Sequence, residues 1–176
     1  MRYAALLRGI NAGGKRRVPM AELRQLFEGM RYSDVSTYIN SGNVIFSSEK
    51  TPDAANIQTA LRAHFGFAID VLVLPAADIL RIAEAVPAEW KNDYSEHKSD
   101  GCYLFADVDT PDIVEQLRVQ PNIEIVEYVP GALLSYVSRN NQRHSSLYRL
   151  IGTPLYQRRT VRNTTTARKL ADIAKQ

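Results

Sequence analysis

Cysteine is almost absent from this chain, as are the other features that mark a secreted or membrane protein. The 176 residues include one cysteine, Cys102, which excludes an internal disulfide and suits a reducing cytosol. No apolar run is long enough to span a bilayer, and no charged-then-apolar leader precedes the apolar stretch after Met1. We therefore expect a cytoplasmic protein without membrane contact.

Histidine is also scarce, and residue patterns typical of catalysis are few. His64, His97 and His144 are isolated, and none shows the spacing of metal ligands. Asp107 and Asp109 fall where a strand gives way to a helix, a place where acidic residues commonly serve as caps. The sequence thus predicts no catalytic residue, no metal and no cofactor, and leaves open whether the protein is an enzyme.

What the chain does contain is the composition of a globular protein with an uneven charge distribution. Hydrophobic residues make up 45% and charged residues 23%, as in an ordinary globular protein. A length of 176 residues corresponds to one large domain or two small ones. The net charge is +3, but residues 139–176 carry +8 and residues 101–138 carry −5. A positive face would attract an anionic partner; alternatively, the two segments neutralise each other in the fold.

The first half of the chain reads as β-α-β-β-α-β followed by one more helix. Residues 2–7 form a continuous apolar run typical of a strand buried on both faces. The later elements are a helix opening near Pro19, a hairpin over 35–46, a helix capped by Thr51-Pro52, a strand over 68–74 and a helix stopped by Pro87.

The second half repeats this order, with a hairpin across Pro130-Gly131 and a last helix capped by Thr164 or Thr165. The pattern predicts an α+β protein of two ferredoxin-like (split β-α-β) halves packed together, each an antiparallel sheet with helices on one face. Residues 1–87 form the first half and residues 101–176 the second. Residues 88–100 are a linker in which Trp90 and Tyr94 are expected to be packing anchors.

The loop after the first strand, residues 8–17, holds three glycines and four cations. It matches G-x-x-x-x-G-K, but Arg16 stands where a nucleotide-hydrolysing loop needs Ser or Thr, and the helix starts too late. We predict instead a cradle in which backbone N–H groups and cations bind phosphate. The alternative is a solvated, flexible loop. The candidate residues are Arg8, Gly9, Asn11, Gly13, Gly14, Lys15, Arg16 and Arg17.

Two other segments are weaker candidates for the same ligand. In the turn over 40–43, the side chains of Asn40, Ser41 and Asn43 offer neutral hydrogen bonds, with Ser41 and Asn43 as the candidates, although this turn and the first loop are expected at opposite ends of the sheet when both are short. Near the C-terminus, Arg162, Asn163 and Arg168 flank a helix start and are predicted to form a second anion site. The alternative for both segments is ordinary turn and cap chemistry.

Four stretches resemble the bacterial family catalogued as domain of unknown function 1697. They are ALLRGINAGGK (5–15), VPMAEL (18–23), TYINSGNVIF (37–46) and TVRNTTTARKL (160–170). Thr164 departs from the family pattern, which has an aromatic residue at this place. The resemblance covers essentially the whole chain and implies a cytosolic α+β protein with ferredoxin-like halves, without implying an activity.

These observations support three functions of different classes. The first is a binding module for a phosphate-bearing ligand, either nucleic acid or nucleotide, since ferredoxin-like sheets with basic edges commonly host RNA. The second is an enzyme acting on a small phosphorylated metabolite, with the first loop as a lid. The third is a protein-interaction module without a ligand. The sequence leaves the oligomeric state open.

Overall fold

The computed structural model describes residues 1–176 as a mixed α+β protein with two four-stranded antiparallel sheets. The chain divides into two compact units, Met1–Ile79 together with Leu170–Gln176, and Leu80–Lys169. None of its helices is both long and apolar enough to cross a bilayer. The predicted α+β class, with one sheet in each half of the chain, is confirmed.

In the first unit the sheet has the strand order β2-β3-β1-β4. Its elements are β1 (Arg2–Leu7), α1 (Met20–Gly29), β2 (Ser33–Tyr38), β3 (Asn43–Ser47), α2 (Ala54–Phe65), β4 (Val71–Pro75) and α3 (Ala76–Ala85), of which α3 continues into the second unit. The central strand β1 pairs antiparallel with both β3 and β4.

Hydrophobic periodicity explains how the first sheet carries its helices. Ala4, Ala5, Leu6 and Leu7 of β1 are fully buried, so both faces of this strand are covered, as its continuous apolar run predicts. Leu23 and Phe27 of α1 share one apolar core with Ile57 and Leu61 of α2 and with Ala5 and Leu7. Both helices therefore pack against the same face of the sheet.

The second unit repeats this arrangement with the strand order β6-β7-β5-β8. Its elements are β5 (His97–Leu104), α4 (Ile113–Leu117), β6 (Glu124–Val129), β7 (Ala132–Ser138), a 3-10 helix (Arg139–His144), α5 (Ser146–Arg149), α6 (Pro154–Gln157), β8 (Arg159–Asn163) and α7 (Thr164–Ala174). The hairpin around Pro130-Gly131 falls where the sequence predicted it. The residues of α7 from Leu170 onward belong to the first unit.

The segment between the predicted halves differs from a plain linker. The strand β5 begins at His97, because Asp93 Oδ1 accepts the backbone N–H groups of Ser95, Glu96 and His97 and turns the chain into the sheet. Trp90 is a packing anchor, 4% exposed, with its ring stacked 5.2 Å from that of Tyr136. The prediction for Tyr94 is wrong, since this side chain is fully exposed.

Two helix caps also differ from the sequence prediction. Asp53, rather than Thr51-Pro52, caps α2 by accepting the backbone N–H of Ala55 at 2.9 Å. Asn163, rather than a threonine, caps α7 through its Oδ1, which accepts the N–H of Thr166 at 2.8 Å. In both helices the capping side chain accepts a backbone N–H of the first helical turn. Asp and Asn are at least as favourable as Thr at this position.

Candidate functional site

The first loop and the β2–β3 turn lie side by side at one end of the first sheet. Leu6 of β1 is opposite Asn43 of β3, and the backbone N–H of Leu7 donates to the carbonyl of Gly42 at 2.8 Å. The expectation that they emerge at opposite ends is wrong. Since β1 and β2 are both antiparallel to β3, they run in the same direction, and the end of β1 meets the turn that follows β2.

Asn11 joins the two segments with its side-chain amide. Its Nδ2 donates to the carbonyls of Val18 at 2.9 Å and Asn40 at 2.8 Å. Its Oδ1 accepts the backbone N–H of Val18 at 2.8 Å. The residue has a φ of 52°, a left-handed conformation that Asn tolerates better than most residues. Asn11 therefore shapes the loop, and its amide is engaged within the protein.

Two of the four predicted cations are also engaged within the first unit. The guanidinium of Arg16 donates to the carbonyl of Ala68 and lies over the ring of Phe67, 5.3 Å from its centroid. Arg8 is 3.9 Å from the carboxylate of Asp70, and its backbone N–H donates to the carbonyl of the same residue. These contacts anchor both ends of the loop to the segment that leads into β4.

The remaining two cations, Lys15 and Arg17, line a cleft of about 430 Å³. Neither side chain has a hydrogen bond or an ion pair, and both are exposed. The rest of the cleft is formed by Asn11, Gly14, Val18, Pro19 and Asn40. No acidic residue lines this cleft, which we call the basic cleft, so its potential is positive.

Backbone groups add to the positive character of the basic cleft. Gly13 and Gly14 have φ values of 62° and 73° with open space around them, so the chain turns there without side chains in front of its N–H groups. Pro19 precedes α1 and provides no side-chain cap. The residues in the first turn of α1 do not line the basic cleft, so the backbone groups that favour an anion there are those of the glycine loop.

The β2–β3 turn, which lies beside the first loop, contains a residue with a strained backbone conformation. Ile39 adopts a φ of 47° although a β-branched side chain disfavours the left-handed region, and its side chain is 48% exposed. Strained residues held by their surroundings cluster at functional sites. Asn40 follows directly and lines the basic cleft.

The other predicted residues of this turn stabilise it internally. Asn43 is fully buried, and its Nδ2 donates to the carbonyl of Tyr38 and to Ser41 Oγ, both at 2.9 Å. Asn40 rather than Ser41 or Asn43 reaches the basic cleft. The sequence indicated Asn40 only as one of three polar side chains in this turn; the pairing direction of the strands was the signal that could have placed it at the cleft.

The predicted C-terminal residues lie in the second unit, and the structure gives both arginines internal partners. Arg162 is 6% exposed and donates to Thr160 Oγ1 at 3.0 Å and to the carbonyl of Val161 at 2.8 Å. Burial lowers the pKa of Arg162 to about 10. Burial likewise raises the pKa of Tyr103 to about 12, an effect that the charge of Arg162 partly opposes.

Arg168 holds the chain ahead of β5 in place. Its guanidinium donates to the carbonyls of Pro87 at 2.8 Å and Trp90 at 3.4 Å. Asn163 lines a cleft of about 510 Å³, but so do the acids Asp93 and Asp100. Of the three predicted C-terminal residues only Asn163 faces this cleft, and its surroundings are of mixed charge.

One cluster of possible metal ligands has a local explanation. Ligand atoms of Asp93, Glu96 and His97 lie within 4.8 Å of one another. Hydrogen bonds from the backbone N–H of Glu96 above all, and then of His97 and Ser95, hold the pKa of Asp93 below its usual range. The ring of His97 stacks 4.9 Å from that of Tyr136. The cluster is the hydrogen-bonded turn that starts β5.

Comparison with known proteins places this chain in a group without an assigned activity. The model of the family described as "Protein of unknown function (DUF1697)" matches residues 1–133. No curated protein matches the chain. Among solved structures, the conserved bacterial protein SP0830 from Streptococcus pneumoniae is similar, with a TM-score of 0.79, 28% identity and 98% of each chain covered.

Proposed function

Since the chain belongs to the DUF1697 family, whose description names no activity, we propose its function from its own surface: it binds a phosphate-bearing ligand, a nucleic acid or a nucleotide, in the basic cleft. The observation that carries this proposal is the pair of cations, Lys15 and Arg17, that line an acid-free cleft without protein partners. A cationic side chain that has no partner within the protein can form charge-assisted hydrogen bonds with an anionic ligand.

The other predicted residues of the loop fit this function by shaping the cleft. Asn11 and Arg16 fix the loop against the β2–β3 turn and against the residues before β4. Gly13 and Gly14 allow the backbone to approach a ligand closely. A phosphate needs several donors around one group, and a loop of backbone N–H groups with two cations supplies them.

The exposed Ile39 supports a ligand that carries a base or a sugar as well as phosphate. Ile39 is 48% exposed and directly precedes Asn40, one of the residues that line the basic cleft. Phosphate contacts position a nucleic acid, and apolar contacts hold its bases. A nucleotide and a nucleic acid share this chemistry, so the experiment has to separate them.

Fluorescence anisotropy with a labelled pool of single-stranded RNA or DNA tests the proposal. We expect binding at low salt, with affinity about tenfold lower for the double variant Lys15→Gln/Arg17→Gln, because each cation lost removes a phosphate contact. Binding of a fluorescently labelled ATP, measured in the same way, without oligonucleotide binding would assign the cleft to a nucleotide or another small phosphorylated molecule.

The control removes the same charge elsewhere in the first unit. Arg31 and Lys50 are exposed and line a different cleft together with the acids Glu49 and Asp53. The variant Arg31→Gln/Lys50→Gln should bind as the unmodified protein does. If neither oligonucleotides nor ATP bind, or if both double variants behave alike, the proposed function is wrong and an interaction surface without ligand becomes the better account.

We also propose that each sheet with its helices is a ferredoxin-like, split β-α-β unit. The element order β-α-β-β-α-β in residues 1–75 and the order β2-β3-β1-β4 in the sheet support this, as does the order β6-β7-β5-β8 in the second unit. A cytoplasmic location fits a chain whose only cysteine is buried and unpaired.

A further inference from the structure

The second unit contains a cavity of about 250 Å³ between its sheet and the segments that follow β7. Strands β5, β6, β7 and β8 contribute one wall, and the 3-10 helix, α5 and the residues after it contribute the other. A water molecule occupies about 30 Å³ in the liquid, so the cavity has room for about eight. None of its lining residues belongs to the first unit.

The floor of this cavity is charged, although it continues an apolar core. On one face of β5 the side chains run Lys98, Asp100, Cys102 and Leu104; the last two belong to the apolar cluster, whereas the first two line the cavity. Packing alone would favour apolar residues at both, because burying charge is costly. This charged pair distinguishes the cavity end of β5 from its apolar end.

Two cations and two carboxylates line the cavity, so its charges balance. Lys98 Nζ lies 3.0 Å from Asp100 Oδ2. The carboxylate of Glu124 accepts from the N–H and Oγ of Ser146 at 2.9 to 3.0 Å and from the N–H of Gln120 at 3.1 Å. The fourth charge is Arg159, which is 8% exposed.

Arg159 lies in the cavity wall, where its guanidinium contacts the residues around it. Its guanidinium lies 4.8 Å from the ring centroid of Tyr156. It donates to the carbonyl of Leu147 at 3.4 Å and to Cys102 Sγ at 3.7 Å. The Nε atom of Arg159 is buried without a hydrogen-bond partner, and a carboxylate in the cavity would accept a charge-assisted hydrogen bond from it.

The mouth of the cavity is apolar and exposed. Tyr148 is 42% and Ile151 is 54% exposed, and both line the cavity together with Leu147 and Val137. Small-molecule sites combine apolar walls with a few polar groups that fix orientation. The charged floor and the apolar mouth thus fit the two ends of one small molecule.

We propose that this cavity binds a small zwitterion with an apolar side chain, of the class of free α-amino acids. The carboxylate is held by Arg159, the ammonium lies by Asp100, and the side chain rests against Tyr148 and Ile151. A simple anion would leave the balanced set of four charges with an excess negative charge in a poorly solvated space, whereas a zwitterion keeps it neutral. This site is independent of the basic cleft.

Isothermal titration calorimetry with L-phenylalanine and L-leucine tests the proposal. Each is compared with the analogue that lacks the ammonium group and the analogue that lacks the carboxylate, which for phenylalanine are 3-phenylpropanoate and phenethylamine. We expect saturable binding of at least one of the amino acids at millimolar concentration and affinities about tenfold lower for both of its analogues. Absence of saturable binding by either amino acid, or equal binding of an analogue, would overturn the proposal.

Matched variants locate the site. Arg159→Gln should weaken binding about tenfold, whereas Arg158→Gln, which alters an exposed arginine that pairs with Asp107, should leave it unchanged. If Arg159→Gln does not fold, the exposed position offers Ile151→Asp, whose charge at the mouth should weaken binding several-fold in a folded protein. Unchanged binding in Ile151→Asp and in a folded Arg159→Gln would contradict the proposed site.

Discussion

Asn11 determines the shape of the basic cleft through three hydrogen bonds made by one amide. Two of them hold Val18 and the third holds Asn40 across the cleft. An amide is the only side chain of this size that offers an acceptor to a backbone N–H and two donors to carbonyls at the same time. The shape of the site therefore depends on a residue whose side-chain amide is engaged within the protein.

Asn11→Asp tests this role because it changes the shape of the residue very little. The new carboxylate oxygen faces the carbonyls of Val18 and Asn40, so we expect a loss of about 1 to 3 kcal/mol in the free energy of unfolding. Urea denaturation measures it. Ser41→Ala is the control for a nearby polar deletion, and a loss no larger in Asn11→Asp than in this control would argue against the role.

Cys102 makes the stability of the protein depend on pH above neutrality. Burial raises the pKa of its thiol to about 11 from an ordinary value of 9.0. The thiol of the unfolded chain therefore ionises first, the folded state binds more protons, and the free energy of unfolding falls as the pH rises from 9 towards 11. Below pH 9 both states keep the proton and this dependence vanishes.

We expect a decrease of about 1 kcal/mol between pH 9 and pH 10 from this thiol. Urea denaturation at the two values measures it, and Cys102→Ala should lack this part of the decrease. The lowered pKa of Arg162, about 10, acts with the opposite sign in the same range, and this contribution is common to both proteins. An identical pH dependence in both proteins would show that the thiol is not buried as described.

At the scale of elements, the β2–β3 turn and the first loop pack against each other through Gly42. A Cβ at this position would lie 2.7 Å from both Ile10 Cδ1 and Leu7 Cβ, and the residue has a φ of 80°. Both the close approach and the backbone conformation require glycine. The turn can therefore lie against the end of β1 only with this residue.

Gly42→Ala should lower the free energy of unfolding by about 1 to 3 kcal/mol, because the methyl group overpacks the junction of loop and turn. Thermal and urea denaturation measure the change. Gly29→Ala makes the same substitution in the last turn of α1, where nothing lies within 4 Å of the new atom, and should be neutral or slightly stabilising. Equal stability of Gly42→Ala and the unmodified protein would refute the packing.

The sequence predicted elements better than it predicted contacts. Strand β1 and both hairpins follow from apolar runs and turn residues that are local in the chain. The partners of Arg16 and Arg168 are carbonyls 52 and 81 residues away, which no local pattern encodes. The sequence could suggest these arginines as ligand-binding residues. It could not reveal that their side chains form hydrogen bonds within the protein.

The prediction of where the β2–β3 turn lies was wrong for a different reason. Its residues were predicted correctly, but its location depends on the directions of β1 and β2, which follow from their common antiparallel pairing with β3. The same pairing explains why Asn40 lines the basic cleft. The anion-binding role of Lys15 and Arg17 remains a prediction. The structure adds the cleft that the two residues line.

At the scale of the whole molecule, net charge is a poor guide to where an anion would bind. The chain carries +3 overall, and the most basic segment is residues 139–176. Several cations of that segment have internal partners, as Arg158 has in Asp107 and Arg168 in two carbonyls. We therefore expect the two cations of the first loop that have no protein partners to matter more for ligand binding than the larger basic excess of the C-terminal segment.

The dependence of oligonucleotide affinity on salt tests this account most directly. On single strands each phosphate contact contributes about 0.7 to the slope of log affinity against log salt concentration. We predict that Lys15→Gln/Arg17→Gln lowers the magnitude of this slope by about 1.4, while Arg31→Gln/Lys50→Gln leaves it nearly unchanged. An unchanged slope in the first double variant, or an equal decrease in both, would contradict a phosphate site in the basic cleft.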